Sequence, residues 1–133
     1  MFNILLVDDE KKITEVVKAY LDKEGYNTLV AHDGNEALSL FSDNEFDLVI
    51  LDRMLPDISG EEICEKIRET SLVHIIMLTA KTEDEDKIDG FNLGCDDYVC
   101  KPFNVKELVL RAKAALRKIK KEEIIKVNAY SHY

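Results

Sequence analysis

Five short apolar runs punctuate the chain, and amphipathic stretches separate them. The runs Ile4–Val7, Thr28–Ala31, Leu48–Leu51, Ile75–Leu78 and Asp97–Cys100 predict β-strands. The first, third and fourth are almost wholly Ile, Leu, Val and Met. A strand covered on both faces has no reason to alternate with polar residues, so this continuity predicts a parallel sheet flanked by helices.

The intervening stretches repeat with a helical period. Ile13, Val16, Val17, Tyr20 and Leu21 predict one apolar face, and Gly25 predicts a left-handed stop after it. Ala37, Leu38 and Phe41 predict a short second helix over Asn35–Phe41. Ser59 with Glu62 three residues on forms a capping-box pattern before Ile63 and Ile67, and Thr82 with Glu85 repeats it for a fourth helix. Asn104 caps the last, whose stripe is Val105, Leu108, Val109, Ala112, Leu116 and Ile119. The order is βαβαβαβαβα, which predicts right-handed crossovers and a doubly wound α/β sheet. Beyond Ile119, a charged run followed by Ile124, Ile125 and Val127 predicts a linker or the first strand of a further unit.

Composition narrows the class. A chain of 133 residues, 46% hydrophobic and 34% charged, has the size and balance of one globular domain. It holds no apolar run long enough to span a bilayer and no secretory leader pattern, so a cytoplasmic location is expected. Cys64, Cys95 and Cys100 are odd in number and lack CxxC spacing, which argues for free thiols rather than disulfides or a zinc site. The formal charge of −9 argues against direct nucleic-acid binding by this chain.

Ligands of doubly wound sheets sit beyond the carboxyl ends of the strands. Asp8, Asp9 and Glu10 follow the first strand, Asp52 the third, Thr79 the fourth, and Lys101 with Pro102 the fifth. Taken singly, each reads as a cap, a turn or a solvated side chain. Together they occupy one edge of one sheet. Two unit charges ~4 Å apart repel by roughly 4 kcal/mol at an effective dielectric near 20, so three carboxylates there need a counterion. A hard divalent cation such as Mg²⁺, helped by the Lys101 ammonium, meets that need and leaves Asp52 as a candidate nucleophile toward a phosphoryl group. No GxxxxGK[ST] or GxGxxG motif offers a nucleotide-held donor.

The run Ile4-Leu-Leu-Val-Asp-Asp-Glu10, the run Leu51-Asp-Arg-Met-Leu-Pro-Asp-Ile-Ser-Gly60, the run Met77-Leu-Thr-Ala80 and the run Gly94-Cys-Asp-Asp-Tyr-Val-Cys-Lys-Pro-Phe103 together resemble the receiver domain of two-component response regulators. The resemblance covers residues 3 to about 119. It implies a flavodoxin-like (βα)5 fold with strand order 2-1-3-4-5. It also implies phosphorylation of Asp52 by a sensor histidine kinase. Asp9, Asp52 and the Met54 carbonyl would bind Mg²⁺, and Asp8 would do so through water. Thr79, Ala80 and Lys101 would contact the phosphoryl group, Tyr98 would move with Thr79 as the switch, and the Lys101–Pro102 bond would be cis. Such a protein is no enzyme toward other substrates; it catalyses only its own phosphotransfer and dephosphorylation. A phosphatase of related fold would place a second Asp two residues after its nucleophile on the first strand, whereas Asp8 and Asp9 are adjacent.

An output surface follows from the last helix. At ~100° per residue, Leu110 and Ala114 fall off the buried stripe, beside Glu107, Arg111 and Lys118. With Lys87, Ile88 and Phe91 of the fourth helix and Asp96 and Asp97 of the fifth strand, this mixture resembles the dimer face of the OmpR/PhoB winged-helix class. That class implies a homodimer formed on phosphorylation, with Lys87–Glu107, Asp97–Arg111 and Asp96–Lys118 pairs across a two-fold axis. On this reading residues 1–119 are the receiver domain. Residues 120–133 begin, or lead to, a DNA-binding domain not in this chain. The alternative is a stand-alone receiver acting as a relay or protein-binding module.

Overall fold

The computed structural model describes residues 1–80 and 94–131. Five strands, β1 (Asn3–Val7), β2 (Asn27–Ala31), β3 (Leu48–Asp52), β4 (His74–Ala80) and β5 (Asp97–Lys101), lie parallel in the order β2-β1-β3-β4-β5. Helices α1 (Lys11–Lys23), α2 (Gly34–Asp43) and α3 (Gly60–Arg68) and a C-terminal helix (Val105–Ser131) complete the described architecture. The expected fourth helix, with Thr82 and Glu85, lies outside the described residues.

The sheet separates two apolar layers, and alternate strand residues feed each. Ile4, Leu6, Leu48, Ile50, Ile76, Leu78 and Val99 pack against Val17 and Leu21 of α1 and Leu108, Ala112 and Leu116 of the C-terminal helix. Leu5, Val7, Val49, Leu51, Ile75, Met77 and Tyr98 face the other way, toward Ala37 of α2 and Ile63, Cys64 and Ile67 of α3. Both sets are buried, which explains the continuous apolar runs of β1, β3 and β4. Burying a Leu, Ile or Val stabilises by about 1.5–3 kcal/mol, so this sandwich is the main source of stability.

Helix starts follow their caps. Ser59 Oγ accepts from Glu62 N at 3.2 Å, and Asn104 Oδ1 accepts from Lys106 N at 2.9 Å. Asp33, which the apolar pattern passed over, caps α2 by accepting from Glu36 N at 2.8 Å, so that helix begins before Asn35. Gly25 takes φ +87°, the left-handed stop expected after α1.

Two expectations are corrected. On α1 the buried positions are Thr14, Val17 and Leu21, while Val16 is 45% and Tyr20 37% exposed. The apolar stripe there is wider than the face that meets the sheet. Residues 120–131 are helical, so the strand that was one of the two expectations there is not formed. No Gly or Pro interrupts Val105–Ser131, and among the described residues no strand lies beside Ile124, Ile125 and Val127 to pair with them. Helical continuation therefore satisfies their backbone groups locally. All three side chains are exposed.

Candidate functional site

Strand register sets the site. Val7 pairs with Leu51 across β1 and β3, so Asp8 and Asp52 emerge side by side at the carboxyl edge. Ala80 pairs with Lys101 across β4 and β5, bringing the lysine to the same edge. One ligand oxygen from each of Asp8, Asp9 and Asp52 lies within 4.8 Å of the others. Asp8 and Asp52 are buried and Asp9 is exposed.

Lys101 Nζ lies 2.9 Å from Asp8 Oδ2, 3.2 Å from Asp52 Oδ2 and 3.7 Å from Glu10 Oε1. Glu10 N donates to Asp8 Oδ1 at 2.9 Å, and Met54 N donates to Asp52 Oδ1 at 3.2 Å. Burial, reinforced by the Asp8 charge, pushes the Asp52 pKa up to about 6, against the opposing pull of Lys101 and the Met54 N–H. Burial works against the Lys101 ammonium, but its hydrogen bond to Asp8 and the two carboxylate charges prevail, so its pKa lies above the ordinary lysine value. One ammonium thus only partly offsets three carboxylates. The donors fit a hard divalent cation: oxygens only, converging, and short of positive charge.

The remaining expected residues occupy the same edge or its flank. Thr79 is buried, and among the described residues its Oγ1 has no hydrogen-bond partner. A buried hydroxyl without a partner is costly unless something else uses it. Ala80 and Met54 are exposed at the rim, and the Lys101–Pro102 bond is cis as expected. Beside Asp52 opens a cavity of about 770 Å³ whose apolar wall includes Ile13, Val16, Met54, Phe103 and Val105. The exposed Val16 belongs to this wall.

Tyr98 is 8% exposed and packs into the α2–α3 layer rather than standing at the rim. Burial raises the pKa of the neighbouring Cys95 thiol against a hydrogen bond with Tyr98, and burial raises Cys64 to about 11. The three cysteines are free thiols, and Cys100 is half-buried.

Of the residues expected on an output face, Asp97 lies on β5 and Glu107, Leu110, Arg111 and Lys118 lie on the C-terminal helix. Leu110 is 59% exposed and Ala114 is exposed. Within one chain Arg111 already holds Asp97 at 2.9 and 3.0 Å and lies 3.6 Å from Glu107. Asp96 accepts from Arg68 Nη2 at 2.9 Å and Ile75 N at 2.8 Å. Lys118 is exposed. Lys87, Ile88 and Phe91 lie outside the described residues.

Beyond Asp33, sequence reasoning missed two further polar residues. Arg68 also donates to the carbonyls of Gly94 (2.9 and 2.7 Å) and Val73 (2.7 Å), tying α3 to the segment before β5. Asp57 binds the start of α2. The distant partners, Gly94 and Asp96 for Arg68 and Gly34 and Asn35 for Asp57, leave no trace in a sequence pattern.

Comparison with known proteins places this geometry. The response regulator receiver domain family matches residues 4–113, and the chain belongs to that family. The receiver domain of Francisella response regulator 1452 is 34% identical, with 90% of this chain and 99% of that one covered at a TM-score of 0.84. The chemotaxis response regulator CheY4 of Vibrio cholerae is 33% identical over 86% and 98%, with a TM-score of 0.82. DrrB of Thermotoga maritima, an OmpR/PhoB homolog, is 40% identical with a TM-score of 0.82; the match covers 89% of this chain and 54% of DrrB. No helix among the described residues is long and apolar enough to cross a membrane.

Proposed function

We propose that Asp52 accepts a phosphoryl group from a phosphohistidine on a sensor kinase in an Mg²⁺-dependent reaction. The observation that carries this reading is the convergence of Asp8, Asp9 and Asp52 with Lys101 bridging two of them. Asp9, Asp52 and the Met54 carbonyl would hold the cation directly, and Asp8 through water. The cation supplies charge neutralisation for the carboxylates and the incoming phosphoryl oxygens.

The protein's own part is positioning. With a pKa of about 6, Asp52 is mainly a carboxylate at neutral pH. One of its oxygens attacks phosphorus. The P–O bond forms as the P–N bond breaks, and the donor imidazole nitrogen keeps the electron pair and takes a proton from water. Lys101 steadies the added negative charge, and the free Thr79 hydroxyl donates to a phosphoryl oxygen. Tyr98 completes the switch by holding its inward position when Thr79 is drawn to the phosphate. The apolar cavity beside Asp52 supports a protein donor, since its wall offers packing area next to the nucleophile.

Incubation with Mg²⁺ and acetyl phosphate followed by intact mass tests the chemistry. The wild-type chain should gain one phosphoryl group and Asp52→Asn none. Equal labelling of both, or none of the wild type, overturns it.

The comparisons support a receiver that passes on phosphate or binds a protein partner. A transcriptional output is the second reading. The 40% identity with DrrB, an OmpR/PhoB homolog, and the exposed Leu110 favour it. In that case phosphorylation would release Asp97 and Arg111 from their pairing within the chain and form a homodimer through Lys87, Ile88, Phe91, Asp96, Glu107 and Lys118. The helical residues 120–131 would lead to a DNA-binding domain. Sedimentation with beryllofluoride decides it: a dimer supports the second reading, a monomer at high concentration removes it.

A further inference from the structure

We infer that Asp57 is a positioning residue for the cation site, clamping the β3–α3 loop onto the start of α2 so that the loop presents its backbone to the metal. This rests on the cation-binding reading above. Asp57 Oδ1 accepts from Gly34 N at 2.7 Å and Oδ2 from Asn35 N at 2.9 Å, across more than twenty residues of chain. The helix start supplies amide donors and the positive end of the macrodipole, and the carboxylate answers both. Those amide bonds, Gly34's above all, hold the Asp57 carboxyl below the ordinary range.

The contact is built to close tolerance. A Cβ on Gly34 would stand 2.9 Å from Ile58 Cβ and 3.1 Å from Asp57 Oδ1, so only glycine lets the loop approach. At its other end the same loop is pinned by Gly60 N donating to Arg53 O at 2.8 Å and by the Arg53–Glu61 pair at 2.9 Å. Met54 lies between these two anchors, with its N–H on Asp52. The α2 side is tied to the acidic pocket as well. Asp8 N donates to Ala31 O at 3.1 Å, and the His32 ring nitrogen lies 3.1 Å from Asp8 O. Asp57 therefore joins the loop after Asp52 to a segment that itself bonds the Asp8 backbone. Without it, the stretch from Met54 to Ser59 loses these side-chain bonds to the start of α2, and the Met54 carbonyl loses its fixed position.

Calorimetric titration with Mg²⁺, well below each variant's unfolding temperature, tests this. Asp57→Ala should weaken Mg²⁺ binding roughly tenfold, the size usual for losing a group that orients a metal ligand. Asp57→Asn, which keeps an acceptor oxygen for one amide, should recover part of the loss. Leu116→Ala, a core truncation in the opposite layer, should lower stability yet leave Mg²⁺ affinity unchanged. Wild-type affinity in Asp57→Ala overturns the clamp alone, as does an equal affinity loss in Leu116→Ala. A wild-type chain that does not bind Mg²⁺ overturns the clamp together with the reading beneath it.

Discussion

The Lys101 ammonium lies 3.2 Å from the Asp52 carboxylate, a contact that spans 49 positions of sequence. It is the one cation placed against Asp52 among the described residues, and it is shared with Asp8. Asp52 consequently remains under-compensated, and its pKa of about 6 records that.

The first prediction concerns pH. In the unfolded chain Asp52 should titrate near its ordinary value of 3.8, and in the folded chain near 6. Between those values the folded state holds more protons, so the Asp52 contribution to stability falls as pH rises through that window. The difference corresponds to roughly 3 kcal/mol for this buried carboxyl. In EDTA at pH 7, Asp52→Asn should therefore be more stable than wild type by up to that amount, with the gap closing by about pH 4. Urea unfolding of both proteins across pH measures it. A gap that stays constant with pH would disprove the electrostatic account.

The second concerns Gly60. A Cβ there would stand 2.7 Å from both Asp52 O and Arg53 Cα, backbone atoms that cannot rotate away. Gly60→Ala should destabilise the chain by about 1–3 kcal/mol, the usual cost of overpacking. Because the displaced atoms belong to the nucleophile and its neighbour, phosphorylation by acetyl phosphate should slow as well. An alanine variant of native stability and native rate would show that the loop absorbs the atom freely.

Thr79 supplies the third. Its hydroxyl is buried and unpartnered among the described residues, so removing it forfeits no hydrogen bond there and relieves a desolvation cost. Thr79→Val should match or exceed wild-type stability by about 1 kcal/mol. Labelling of Asp52 should continue, while the change in amide spectra on adding beryllofluoride and Mg²⁺ should shrink. A clear stability loss would mean the hydroxyl has a partner in solution.

The strands were legible because β1, β3 and β4 are buried on both faces, and unbroken Ile, Leu and Val leave few other readings. Their order also set Asp8 beside Asp52 and brought Lys101 to the same edge. Helix faces were less legible. Val16 fits the apolar period of α1 as well as Val17 does, but only packing against the sheet distinguishes them, and Val16 lines the open cavity instead. Asp33 and Asp57 were missed for a different reason. A cap one residue before a glycine weakens the apolar signal, and Asp57, in the β3–α3 loop, finds its amides at the distant start of α2. Contacts of that kind depend on tertiary approach, here permitted by Gly34, and no periodicity records them.

The final prediction tests the corrected C-terminus. The inward stripe of the C-terminal helix runs Leu108, Ala112, Leu116 and Ile119. One turn further it would reach Glu123 and Lys126, which bury nothing, and residues 120–127 are all exposed. Helical residues without tertiary contact contribute only marginal stability, since propensity alone barely sustains a helix in water. Ending the chain after Ile119 should therefore change the free energy of unfolding by no more than about 0.5 kcal/mol, the range of surface changes. Circular dichroism should lose helical signal in proportion to residues 120–131, and labelling of Asp52 should proceed at the native rate. Cutting instead after Ala112 removes Ala115 and Leu116 from the layer against α1, and that chain should unfold. If the shorter cut alone abolished folding, the exposed extension would have to pack against something, and Ile124, Ile125 and Val127 would be the residues to examine first.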